Sequence, residues 1–112
     1  MVLDEISKHH TWLFSFETMQ ELTDVIFRKK FDKHVRQSSR EDFIEELIAS
    51  SEEIIVTETI VACKDPKDDK FLEAAVSGNA DIIITGDGFL KELHPFRGIQ
   101  ILSPAEFLDK YK

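Results

Sequence analysis

The chain has a single cysteine among its 112 residues, Cys63, so no internal disulfide can form. A lone thiol fits a reducing cytosol. No histidine stands close to it in sequence, so Cys63 reads as a small buried apolar residue and not as a nucleophile. The four histidines (His9, His10, His34 and His94) lack the i, i+4 or cysteine-paired spacing of a zinc site and read as surface residues. No apolar run approaches membrane-spanning length, and the N-terminus shows no signal-peptide pattern. There is no repeat, low-complexity tract or linker. Walker, G-x-G-x-x-G and G-x-S-x-G sequences are all missing, which leaves nucleotide-binding and serine-hydrolase readings without support. Basic charge is also scarce: 14 Lys and Arg stand against 22 Asp and Glu, for a net charge of −8. That balance argues against indiscriminate nucleic-acid binding, where a basic surface supplies the affinity. Its distribution qualifies the point, because Arg28, Lys29, Lys30, Lys33, Arg36 and Arg40 gather six of the fourteen cations into one short segment. These read either as a helix C-terminus complementing its dipole or as a phosphate-steering patch.

The length implies one domain spanning residues 1–112 with a single core. A hydrophobic content of 42% with nine Phe is ordinary for a globular protein. The chain is organised around Asp65-Pro66-Lys67-Asp68-Asp69-Lys70-Phe71-Leu72 and Asp81-Ile82-Ile83-Ile84-Thr85-Gly86-Asp87. Pro66 suits a first helical position, which makes Asp65 an N-cap and Asp68 the third helical residue of a capping box. Phe71, Leu72, Ala75 and Val76 share one helical face, and Gly78 can end the helix. The isoleucine run has the continuous β-branched character of a parallel strand covered on both faces. Ligands of open parallel sheets sit beyond the carboxyl ends of the strands, where Asp87 falls, and Asp69 lies within reach of the same crevice. Converging carboxylates suit a hard divalent cation. The same aspartates also suit capping and turn duty without any ligand.

Elsewhere, Thr11–Phe16 is strand-like, and a helix from about Phe16 to Phe31 follows, with Met19, Leu22, Val25 and Ile26 inward. Ser15 or Thr18 can cap it; with Thr18 as cap, Glu21 would complete the capping box. Ser39 is expected to cap a second helix, about Arg40 to Ser50, with Phe43, Ile44, Leu47 and Ile48 buried. Glu53–Thr57 and Ile99–Leu102 read as strands, and Gly88–Leu93 as a short helical crossover. Ser103-Pro104-Ala105-Glu106 is a capping box, with Leu102 and Phe107 as its hydrophobic staple. Alternating strands and helices imply an α/β sandwich with a mostly parallel sheet.

Cys63 to Glu73, Ile84-Thr85-Gly86-Asp87 and Pro95 to Leu108 together resemble a PIN domain, and in particular the bacterial PIN proteins regarded as toxin components of toxin–antitoxin systems. The resemblance extends back through Glu21-Leu22 and Arg28-Lys29-Lys30-Phe31. It implies a PIN-like three-layer α/β/α sandwich and a cytoplasmic ribonuclease. Glu21, Asp69 and Asp87 would then be the catalytic residues and hold Mg2+ or Mn2+, with Asp65 and Asp68 in capping or outer roles. RNA would be the substrate and an antitoxin protein a partner. PIN domains open with a strand ending in a metal-binding Asp, usually within Asp-Thr-Asn. Val2-Leu3-Asp4 resembles this only superficially, because Glu5 to Thr11 leave too little chain for the usual helices before the next strand. Met1 to Lys8 is therefore read as the family's later helix, the first strand as missing and the sheet as four-stranded. Phe89 is a smaller departure, standing where relatives often carry a second aspartate. A missing first Asp implies weakened or lost activity.

The missing strand would leave the edges of Thr11–Phe16 and Asp81–Thr85 unpaired. They are expected to close together into one sheet or to be covered in a homodimer. The alternative function is a non-catalytic PIN remnant acting through protein contacts such as antitoxin binding. A phosphoacceptor receiver-like domain would want a Lys after the final strand, where Ser103-Pro104 stands.

Overall fold

Short strands alternate with helices in a computed structural model that describes residues 10–110. The reading of Met1 to Lys8 as a helix, with Asp4 inside it, lies outside the described residues. The chain forms two compact units, residues 1–54 and 55–112.

In the first unit, β1 (Trp12–Phe14) leads into α1 (Phe16–Ile26). Ser15, fully buried, is the cap: its Oγ accepts from the Thr18 amide at 3.2 Å, and Thr18 Oγ1 accepts from the Ser15 amide at 2.9 Å. This reciprocal pair fixes the helix start and leaves Glu21 with no place in the box. α1 ends at Ile26, short of the expected Phe31, and a 3₁₀ turn over Lys29–Phe31 follows. α2 (Gln37–Ala49) begins three residues before the expected start and has Arg36 at its N-cap, so Ser39 lies inside the first turn and caps nothing. The cause is Arg40, the one buried residue of α2. Its guanidinium donates to the carbonyls of Val35 (2.5 Å) and Ile26 (3.5 Å) and pairs with Asp32 at 3.1 Å, drawing the preceding loop onto the helix. Phe43, Ile44 and Leu47 are half-buried as expected, whereas Ile48 is exposed.

β2 (Ser51–Glu53) pairs parallel with β1, Trp12 opposite Ser51 and Phe14 opposite Glu53. It replaces the expected strand at Glu53–Thr57. Its partner is three residues long and passes into the Ser15 cap, so the ladder runs out once the Ile54 amide has bonded to Phe14 O at 2.6 Å.

The second unit builds its core on Ile60, Leu72, Leu90 and Ile101, with Cys63, Phe71, Val76, Ile83, Leu93 and Phe96 packed around them. α3 (Asp69–Ser77) buries Leu72, Ala74 and Ala75 and ends at Gly78, whose amide bonds to Ala74 O at 2.9 Å. β3 (Ile82–Ile84) pairs parallel with β4 (Gln100–Leu102). Between them, α4 (Gly88–Lys91) makes the expected short crossover. After it the peptide His94-Pro95 is cis, and the His94 ring nitrogen Nδ1 accepts from the Ile101 amide at 2.8 Å. α5 (Pro104–Lys110) has the expected capping box: the Ser103 amide donates to Glu106 at 2.8 Å and the Glu106 amide to Ser103 Oγ at 3.1 Å. Glu106 also pairs with Lys91, and the ammonium and the cap together pull its carboxyl down to about 2. Leu102 and Phe107 are both buried, as a staple requires.

The four described strands thus give an α/β fold with parallel pairing, as the PIN-like reading requires. They form two ladders, β1-β2 and β3-β4, and not one four-stranded ladder. Each strand takes its parallel partner from the next strand of its own unit, through a helical crossover.

Candidate functional site

The candidate site of the second unit grows from the turn before α3. Asp65 caps a 3₁₀ turn over Pro66–Asp68, its Oδ1 accepting from the Lys67 amide at 3.0 Å. Asp68 lies between this turn and α3 and makes no capping bond, so the Asp65–Asp68 box expected from the sequence does not form. Instead the tight turn delivers Asp69 as the first residue of α3, only 7% exposed. Its Oδ1 accepts from the amides of Cys63 (2.8 Å) and Ala62 (3.1 Å), folding the segment before Asp65 back over the helix start. These two amides, the Cys63 amide foremost, hold the carboxyl below its ordinary value, and the Cys63 thiol adds a third donor. A metal-free carboxylate cluster is expected to keep a proton on one member; Asp69 is not that member, because the donors facing it favour the charged form.

Asp87 stands beyond the carboxyl end of β3, as the isoleucine strand predicts. Its amide donates to Thr85 Oγ1 at 3.0 Å, and its Oδ1 accepts from the Phe89 amide at 2.9 Å, capping α4. Cys63 shows that these groups share one neighbourhood. Burial first, then a hydrogen bond to Asp69 and the charges of Asp69, Asp68 and Asp87, push its thiol up to about 12. Cys63 was expected to be buried and is half-buried against the core; a thiol this hard to ionise is a poor nucleophile, in line with the rest of that expectation. Lys64, which the sequence reading passed over, sits 4.6 Å from the centre of the Phe89 ring and 3.6 Å from Glu92. It brings a cation to the α4 side of the carboxylates; its adjacency to Cys63 and Asp65 was the available signal. Glu21, half-buried on α1, belongs to the first unit.

A shallow cavity of about 230 Å³, lined by Ala75, Val76, Asn79, Ala80, Arg97 and Ile99, opens at the other end of α3. It is far from the Asp69 end, since nine helical residues span roughly 13 Å. The chemistry therefore centres on the carboxylates.

The donor set of Asp69, Asp87 and the neighbouring Asp68 offers anionic oxygen, the chemistry that Mg2+ and Mn2+ prefer. Among the described residues, no group of three or more His, Cys, Asp or Glu side chains is gathered closely enough to hold a metal ion. Nor is any described helix long and apolar enough to cross a membrane.

Parallel strand pairs, with one aspartate opening a helix and another beyond a strand's carboxyl end, define an α/β protein. A family model described as PIN domain matches residues 3–88, and the chain belongs to that family. PIN domains are a nuclease family and are generally dependent on divalent metal ions. No curated protein and no solved structure matches the chain.

Proposed function

We propose that this PIN domain is a metal-dependent ribonuclease in which Asp69 and Asp87 hold Mg2+ or Mn2+. The observation that carries the reading is the placement of Asp69 at the start of α3, held by the Ala62 and Cys63 amides, and of Asp87 beyond the carboxyl end of β3. A bound divalent ion would supply an activated water for attack on the phosphodiester and would stabilise charge on the phosphate oxygens. The chain's own residues prepare the donors. The amides of Ala62 and Cys63 keep Asp69 charged and fix its orientation, and the Phe89 amide orients one oxygen of Asp87. As the toxin of a toxin–antitoxin pair, the protein would act in the cytoplasm on RNA, with an antitoxin protein as partner and a homodimer as a further assembly.

The test is cleavage of single-stranded RNA with Mn2+ or with EDTA. The expected result is Mn2+-dependent cleavage that falls on the order of a hundredfold in Asp87→Asn, as losses of metal-site groups do. Cleavage unchanged by EDTA or by Asp87→Asn would sink the proposal.

A second reading is a non-catalytic PIN domain that acts through protein contacts such as antitoxin binding. What favours it is that Asp69 and Asp87 already serve the fold, one as anchor of residues 62–63 and the other as the α4 cap. Absence of Mn2+-dependent cleavage together with specific antitoxin binding would select it.

A further inference from the structure

We propose that the loop from Arg28 to Arg36, with the start of α2, is a docking surface for the phosphodiester backbone of single-stranded RNA, its shape set by the buried Arg40. The inference rests on the ribonuclease reading for its choice of ligand. Arg28, Lys29, Lys30, Lys33 and Arg36 are all exposed, and none of them forms an ion pair with a described residue. Complementing the dipole of α1 does not explain them, because α1 ends at Ile26 with no basic residue in its last turn. They instead precede the positive end of α2, where cations are unfavourable. That end has no side-chain cap and no acid in its first turn. The arrangement costs the fold stability and gains an anion-receptive surface.

Arg40 neutralises the loop's own acid. Asp32 is the only carboxylate between Arg28 and Arg36, and the Arg40 guanidinium pairs with it at 3.1 Å while holding the Ile26 and Val35 carbonyls. Arg40 is 5% exposed, and its Nε has no hydrogen-bond partner. Protein-docking surfaces have an apolar centre inside a charged rim. Within this loop only Val35 offers exposed apolar surface, at 40%, so a polyanion is the better match.

The test is fluorescence anisotropy of a labelled single-stranded RNA against salt, in EDTA so that binding is read without cleavage. If all five cations meet phosphates, the slope of log Kobs against log salt is about −3.5. Lys29→Ala/Lys30→Ala/Lys33→Ala should reduce it to about −1.4. A Lys91→Ala/Lys110→Ala control should keep the wild-type slope, and circular dichroism shows whether each variant is folded. An unchanged slope in the folded triple variant, no RNA binding by the wild type, or equal binding of poly-glutamate would each overturn the proposal. The ribonuclease reading fails separately. Binding in EDTA with this slope pattern but no cleavage in Mn2+ sustains the surface and removes the enzyme. Cleavage undiminished in the triple variant at low salt does the reverse.

Discussion

Asp69 is both a structural anchor and a proposed metal ligand, and the two roles have separable signatures. Because its folded pKa is depressed, it contributes stability that is fully present above the unfolded value of about 3.9. That contribution is lost as pH falls through the folded value. Acid titration of the melting temperature should therefore be flat near neutrality and fall below about pH 4, with a shallower acid limb in Asp69→Asn. A limb unchanged by that substitution would show that the Ala62 and Cys63 amides do not depend on the charge. Cys63 supplies a second check. With its thiol pushed up to about 12, its reaction with a disulfide reagent should show no inflection near pH 8.5, where a free thiol titrates. Asp69→Asn removes one repelling charge and should speed that reaction. At this scale the sequence pointed to Asp69 and Asp87 and left their duties open. Capping and metal ligation ask for the same residue type at the same position, and only the bonds from residues 62 and 63 show the anchoring.

Among the elements, α1 and α2 differ in how their starts are made. Ser15→Ala removes a fully buried cap and should cost about 1–2 kcal/mol in denaturant unfolding. Ser39→Ala, in an exposed first-turn position, should stay within about 0.5 kcal/mol. Equal costs would restore the start at Arg40 that the sequence suggests. Arg40→Met leaves the Val35 and Ile26 carbonyls without their donor and should cost about 1–3 kcal/mol. The Ser103–Glu106 box was legible because its partners lie three residues apart, but the same spacing suggested boxes at Asp65–Asp68 and Thr18–Glu21 that do not form. The α2 start was not legible, because a buried arginine reaching back to Ile26 leaves no local pattern. β2 was misplaced for a related reason: Glu53–Thr57 has the better strand composition, but β1 ends too soon to pair with it. The isoleucine strand and the Leu72 face of α3 were legible because each puts its apolar residues at one clear period.

At the scale of the molecule, the order of elements and the PIN resemblance agree with the family to which the chain belongs. The joining of the strands into one ladder does not follow from that order. The isoleucine run specifies a parallel strand but not its neighbours, and β3 takes β4 alone among the described strands. The central claim is that Asp69 and Asp87 bind a divalent cation in the folded state. An ion bound only by that state stabilises it by about 2.7 kcal/mol at a hundredfold excess over its dissociation constant. The direct measurement is thermal unfolding of wild type, Asp69→Asn and Asp87→Asn, each in EDTA and in millimolar Mn2+. The account predicts a rise in melting temperature with Mn2+ for the wild type and a reduced rise in both variants. An equal rise in all three, or none in any, would contradict it.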